Sequence, residues 1–221
     1  MTFTNAKLHY FIFQNKPATA GFGEILNLFL KDAGIEFEYV RYTWEEWPTI
    51  KDDLAVAKGL GHVTMPILEI NGKVFNKTAP TLRYLSKQLG KYHGASAEED
   101  HHLDVASDIF RDHLGTFGPL FRCTDEEKLR EHFEKDTKKY LAAYETLYAE
   151  KDNGPYLLGE NVSYADFLVY HLIDDESFAL RDQCDLIHVI QQDYKHVAAF
   201  IQAFNERPNL SAYLSSLKSA Q

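Results

Sequence analysis

Five small groups of residues in this 221-residue chain carry donors and acceptors at spacings that could do chemistry. The first is Val63–Thr64–Met65–Pro66–Ile67–Leu68–Glu69–Ile70–Asn71–Gly72. Proline has no N–H to give to a sheet, so Pro66 belongs at a strand start or edge. Its X-Pro bond is a candidate for cis, which would turn the Met65 N–H and C=O outward as an edge for a peptide-like ligand. The alternative is an ordinary turn before a strand. The second group is Trp47 and Lys51, four apart and therefore on one face of a helix. An indole N–H and an ammonium aimed at one spot suit a carboxylate; otherwise they are an exposed aromatic beside a solvated lysine. The third is Lys77–Thr78, where Thr78 opens a helix and is either a plain cap or part of an anion site built on helix N–H groups. The fourth is Tyr10, near the end of an apolar strand, a hydroxyl donor or a ring packed between sheet and helices. The fifth is Asp104, Asp108 and Asp112, an i, i+4, i+8 acidic stripe that unaided reads as a solvated helix face.

The elements that must position these groups follow from periodicity. Leu8–Phe13 is aromatic and β-branched, a buried strand. Residues 14–21 carry Pro and Gly and read as loop, with Lys16 a solvated loop lysine or else a source of local positive charge. Phe22, Ile25, Leu26, Phe29 and Leu30 lie at helical spacing, and Gly34 stands at the C-terminal end of that helix. Glu36–Arg41 alternates as a second strand, so the start is β-α-β with parallel pairing and a right-handed crossover. Glu46–Lys58 is a short helix with Pro48 in its first turn. The strand after Pro66 turns at Asn71-Gly72 into Lys73–Asn76, and Thr78–Leu89 is a helix followed by Gly90. The first ninety residues thus form an open mixed sheet covered by helices.

Residues 91–97 are small and polar and read as a linker. Beyond them strand signal vanishes. Glu98–Leu120, Asp125–Ala149, Ser163–Asp174, His188–Glu206 and Asn209–Ser219 read as helices. Ser163 with Asp166 three residues on is a capping box, with Val162 and Phe167 placed as a hydrophobic staple. Asp174–Asp175–Glu176 reads as helix-end surface. The expected domains are 1–90 and 98–221.

Composition narrows the class. The chain is 45% hydrophobic and 25% charged, enough for a sizeable core, and its net charge of -10 disfavours a phosphate backbone as partner. Two separated cysteines, Cys123 and Cys184, read as reduced thiols of a cytoplasmic protein. No signal peptide or membrane-length apolar run is visible. His101, His102 and His113 lack the i, i+4 spacing of a helical zinc pair, and there is no Cys-x-x-Cys, so no metal is expected.

Three segments carry a resemblance. Lys7–Leu8–His9–Tyr10–Phe11 resembles the first strand of sigma-class glutathione transferases. Trp47–Pro48–Thr49–Ile50–Lys51 resembles their W-P-x-I-K segment, and Val162–Ser163–Tyr164–Ala165–Asp166–Phe167 resembles the capping box of their helical domain. The resemblance spans about residues 7 to 215. It implies a thioredoxin-like N-terminal domain with a mixed four-stranded sheet, an all-α C-terminal domain, glutathione as co-substrate and a homodimer. It also implies site roles: Tyr10 toward the sulfur, Trp47 and Lys51 toward the glycyl end, Met65 and cis Pro66 against the cysteinyl residue, and Lys77 and Thr78 at the γ-glutamyl carboxylate. An aspartate from the partner subunit, Asp112 first and Asp108 second, would meet the ammonium. An apolar electrophile would sit near Phe110, Leu114, Phe117 and Phe121.

A free thiol has a pKa near 8.5, so only a small fraction is thiolate at neutral pH, and a hydroxyl donating to sulfur favours the anion. The thiolate would attack an electrophilic carbon, or serve peroxide reduction or an isomerisation. The chain departs from the pattern at the sulfur end. The loop between the first strand and helix is longer, no arginine lies between Tyr10 and Arg41, and Lys77 stands where the family has an amide. Thr19, near the helix N-terminus, is a rival hydroxyl, and a non-catalytic binding, regulatory or crystallin-like member of the fold is the rival reading.

Overall fold

The computed structural model describes residues 3–13, 16, 18, 20–59, 61–151 and 153–218. They divide into two compact units, residues up to Leu89 together with those from Arg207 onward, and Gly90–Glu206.

The first unit is built on a four-stranded sheet of order β2-β1-β3-β4. Strand β1 (Ala6–Phe11) pairs parallel with β2 (Phe37–Tyr42) and antiparallel with β3 (Ile67–Ile70). Strand β4 (Lys73–Asn76) closes the edge across the Asn71-Gly72 turn, where both residues take positive φ. Helix α1 (Phe22–Asp32) connects β1 to β2 and buries Ile25, Leu26, Phe29 and Leu30. It ends at Gly34, φ 69°, whose N–H donates to Lys31 O while Ile35 N–H donates to Leu30 O. That is the left-handed glycine stop expected from the sequence. Helices α2 (Trp47–Lys58) and α3 (Thr78–Leu89) complete the thioredoxin-like arrangement.

One face of β1 carries a polar network no motif announced. His9, 5% exposed, has its Nδ1 2.9 Å from Tyr42 Oη and its Nε2 2.9 Å from Glu69 Oε1, bridging β2, β1 and β3. A buried imidazole needs such partners on both nitrogens.

The second unit is helical: α4 (Ala97–Phe117), α5 (Glu126–His132), α6 (Lys138–Ala149), α7 (Tyr164–Leu180), α8 (Leu186–Asp193) and α9 (Lys195–Asn205). Its core stacks Tyr148 on Phe200 and Tyr170 on Phe204. Ser163 caps α7, and Asp166 accepts from Ser163 N–H at 2.7 Å, completing the capping box.

Several expectations differ in detail. The helix expected over Asp125–Ala149 is interrupted by a wide π-type turn at Phe133–Thr137. The one expected over His188–Glu206 breaks at Tyr194, φ −131° and ψ 76°. Residues 91–97 are not a loose linker: Tyr92 is buried and its carbonyl accepts from Tyr164 N–H at 2.9 Å. The C-terminal helix α10 (Ser211–Lys218), expected with the helical domain, belongs to the first unit. Arg207 grips Asp32 through Nε at 2.7 Å and Nη2 at 2.6 Å, and Tyr213 donates to Glu24 at 2.6 Å. Asp175 and Glu176 are not surface either; α7 runs past them to Leu180, and both are buried. The acidic run misled because charge along a helix says nothing about which face is covered.

Candidate functional site

Tyr10 sits one residue from the end of β1, opposite Arg41. It is 6% exposed. Its ring packs on the first turn of α1, so close that a Cβ at Gly23 would overlap it. Gly21, the N-cap residue of α1, has φ 70° and ψ −154°, a conformation open in practice to glycine. A Cβ there would come 3.0 Å from the Tyr10 hydroxyl. The two glycines therefore set the tyrosine hydroxyl at the N-terminus of an 11-residue helix, where N–H groups and the helix dipole favour an anion. The Gly21-x-Gly23 spacing was the legible signal for this platform and was missed. Arg41 does not replace an arginine at this point; its Nε donates to Phe11 O at 3.0 Å. Lys16 is 7% exposed, so the expected solvated lysine is a buried one. Thr19 lies outside the described residues.

Trp47, half-buried, meets Phe11 edge to face at 5.3 Å. With Met65 it borders the apolar cluster of Leu54, Val63 and Ile67. So the structure brings Trp47 and Met65 to one cluster, and Lys51 stands exposed one turn on from Trp47 in α2. The Met65–Pro66 bond is cis. The β1–β3 ladder ends at Ile67 opposite His9, which leaves Met65 past the paired segment. On the other side Ile67 pairs with Asn76, the last pair of that ladder, so Met65–Pro66 and Lys77–Thr78 both leave the sheet at this end.

Lys77 adopts φ 67°, and its carbonyl accepts from Thr81 N–H at 3.1 Å and Thr81 Oγ1 at 2.9 Å. Thr78 begins α3 and is 5% exposed. Its Oγ1 is buried without a hydrogen-bond partner. Buried hydroxyls are nearly always bonded, and one left over at a helix N-terminus points to an acceptor supplied from outside. In the second unit Asp108 and Asp112 are exposed on α4, whereas Asp104 accepts from Tyr164 Oη at 2.6 Å and is structural.

Residues 112–217 match the model of the glutathione S-transferase C-terminal domain. A probable glutathione S-transferase 7 of Caenorhabditis elegans is 30% identical over 156 residues, covering 67% of this chain and 72% of that protein. The chain belongs to the glutathione transferases. A glutathione S-transferase 1 of Ascaris suum is 27% identical over 202 residues, 88% of this chain and 91% of the relative. Among solved structures, the Pi-class glutathione S-transferase of Onchocerca volvulus superposes with a TM-score of 0.81 at 22% identity, covering 98% of this chain and 95% of that one.

In this glutathione transferase two of the expected electrophile contacts are core. Phe110 and Phe117 are buried in the helical unit, where Phe117 meets Phe121 edge to face at 5.9 Å; helical spacing could not distinguish a pocket wall from packing. Asp166 is structural as expected: besides Ser163 it accepts from Tyr148 Oη at 3.0 Å and Leu157 N–H at 3.2 Å. Burial pushes its carboxyl up to about 6 against these hydrogen bonds. Cys123 and Cys184 are free thiols, and burial pushes Cys184 up to about 11, far from a reactive thiolate. Among the described residues no helix is long and apolar enough to cross a membrane.

Proposed function

We propose that this glutathione transferase conjugates the glutathione thiolate to apolar electrophiles, as a cytoplasmic homodimer. The observation that carries the binding half is the buried, unpartnered Thr78 Oγ1 at the start of α3, which follows the strand end opposite Ile67, as Met65–Pro66 precedes Ile67. The tripeptide lies along that edge. Its cysteinyl residue pairs with the Met65 backbone, Lys77 and Thr78 receive the γ-glutamyl carboxylate, and Trp47 and Lys51 receive the glycyl carboxylate. The partner subunit supplies an aspartate equivalent to Asp112, or Asp108, for the ammonium.

The Tyr10 hydroxyl, set at the N-terminus of α1 by Gly21 and Gly23, donates to the sulfur. A hydrogen bond to a charged group contributes roughly 1.5–3 kcal/mol, enough to lower a thiol pKa by about one to two units. The test is retention on immobilised glutathione followed by turnover of a chlorinated nitroaromatic. Tyr10→Phe is expected to stay on the column, lose roughly 10- to 100-fold in kcat/KM, and raise the pH at which bound glutathione ionises. Turnover unchanged in Tyr10→Phe but lost in Thr19→Ala moves the donor role to Thr19. Capture without turnover by the wild type leaves a binding module, which the packing of Tyr10 on Gly23 also accommodates.

A further inference from the structure

A buried cluster in the helical unit uses none of the residues of the candidate glutathione site. His113 of α4, His132 at the end of α5 and Glu176 of α7 are all buried. Both imidazoles aim the same nitrogen at one carboxylate: His113 Nε2 lies 3.2 Å from each Glu176 oxygen, and His132 Nε2 lies 2.8 Å from Oε1. Thr137 Oγ1 is 2.7 Å from the same Oε1, delivered by the π-type turn at Phe133–Thr137. Such turns within helices recur at functional sites. Glu176 Oε2 has no hydrogen-bond partner.

We propose that His113, His132 and Glu176 hold a divalent cation of zinc type, as a structural site inside the helical unit. Their donor atoms lie within 4.8 Å of one another. Tetrahedral zinc with bonds of about 2.0–2.1 Å spaces its ligands about 3.3 Å apart; His113 Nε2 already stands 3.2 Å from both Glu176 oxygens, and His132 Nε2 is closer, 2.8 Å from Oε1. The outer nitrogens fit as well. His113 Nδ1 is 3.3 Å from Tyr144 Oη, and His132 Nδ1 is 3.6 Å from Asp136 Oδ2. Ligating histidines are held in this way through the nitrogen that does not bind the metal. Tyr140 stacks on the His113 ring at 4.5 Å and fixes its plane.

Thr137 Oγ1 donates to Glu176 Oε1 and orients that carboxylate, and three protein donors leave the fourth tetrahedral position to a water. No spacing rule could find this set, because its members come from three helices.

The test uses the full chain. Metal content is measured on the protein as purified, and the chain is then unfolded and refolded in a chelator before zinc or cobalt(II) is added back. Expected are one equivalent bound per chain, a Tm higher by several degrees with zinc than without, and the visible bands of tetrahedral cobalt. His113→Gln and His132→Gln should each lose the tight equivalent. A wild-type Tm that zinc does not move, with no stoichiometric metal, leaves a hydrogen-bonded polar cluster and overturns the site. So does an equivalent that survives in both variants, since the metal then rests on other histidines. Retention on immobilised glutathione, measured alongside, reports the first unit and is independent of either result.

Discussion

Thr78 separates ligand binding from folding more cleanly than any other residue of the candidate site. Its Oγ1 makes no hydrogen bond within the protein, so Thr78→Val removes a hydroxyl that contributes nothing to the fold; replacing a buried, unpaired polar group by an apolar one of the same shape is neutral or stabilising. Glutathione, if bound there, loses one hydrogen bond to its carboxylate, roughly 1.5–3 kcal/mol or about 10- to 100-fold in affinity. Calorimetric titration with glutathione beside a thermal melt should therefore show weaker binding at an unchanged or higher Tm, with Thr78→Ser restoring the affinity. A Tm loss with unchanged affinity would make Thr78 a plain helix-start residue. Thr78 and Met65–Pro66 were legible because hydroxyls at helix starts and prolines at strand starts have local physical reasons. The burial that leaves Oγ1 without a partner was not legible, since it depends on what covers it.

The junction of β1 and α1 is where one element sets the chemistry of another. Gly23 has no side chain because the Tyr10 ring occupies that space. Gly23→Ala forces the ring away from the helix start and should cost about 1–3 kcal/mol by overpacking, read by denaturant unfolding. If Tyr10 is the sulfur donor proposed above, the same change should lower turnover more than glutathione retention, since the carboxylate contacts are untouched. At α7, Asp166 gives a pH signature. Its carboxyl rises from 3.8 to about 6 on folding, so the folded state holds a proton that the unfolded state has released between those values. The stabilisation is complete below about pH 3.8 and is lost as pH rises through 6, about 3 kcal/mol in all. Asp166→Asn should remove this falling slope of unfolding free energy between pH 4 and 6. Asp166→Ala should lower stability and leave glutathione retention of the folded fraction unchanged.

For the molecule as a whole, the chain's end matters to its beginning. Arg207 binds Asp32 in two-point fashion, and Tyr213 and Asn209 donate to Glu24 Oε1 and Asp32 O on α1. Asp32 is buried, and breaking a buried ion pair by removing its cation costs up to roughly 3–5 kcal/mol. Arg207→Ala, or a stop codon after Glu206, should thus destabilise the first unit, seen as lost hydrogen-exchange protection in α1. Protection lost only in the helical unit would contradict that assignment.

Periodicity and turn chemistry alone determined the thioredoxin-like strand and helix order, the Asn71-Gly72 hairpin, the Gly34 stop and the Ser163–Asp166 capping box, because each depends on neighbours within a few residues. Local motifs also carried the family. Only the tertiary structure decided that Lys16, Asp175 and Glu176 are buried, that Phe110 and Phe117 are core, that residues from Arg207 onward return to the first unit, and that His113, His132 and Glu176 meet. Those outcomes are set by which helix face is covered and by partners 19 to 175 residues away, read from His113–His132 at one extreme and Asp32–Arg207 at the other. A sequence window has no access to either.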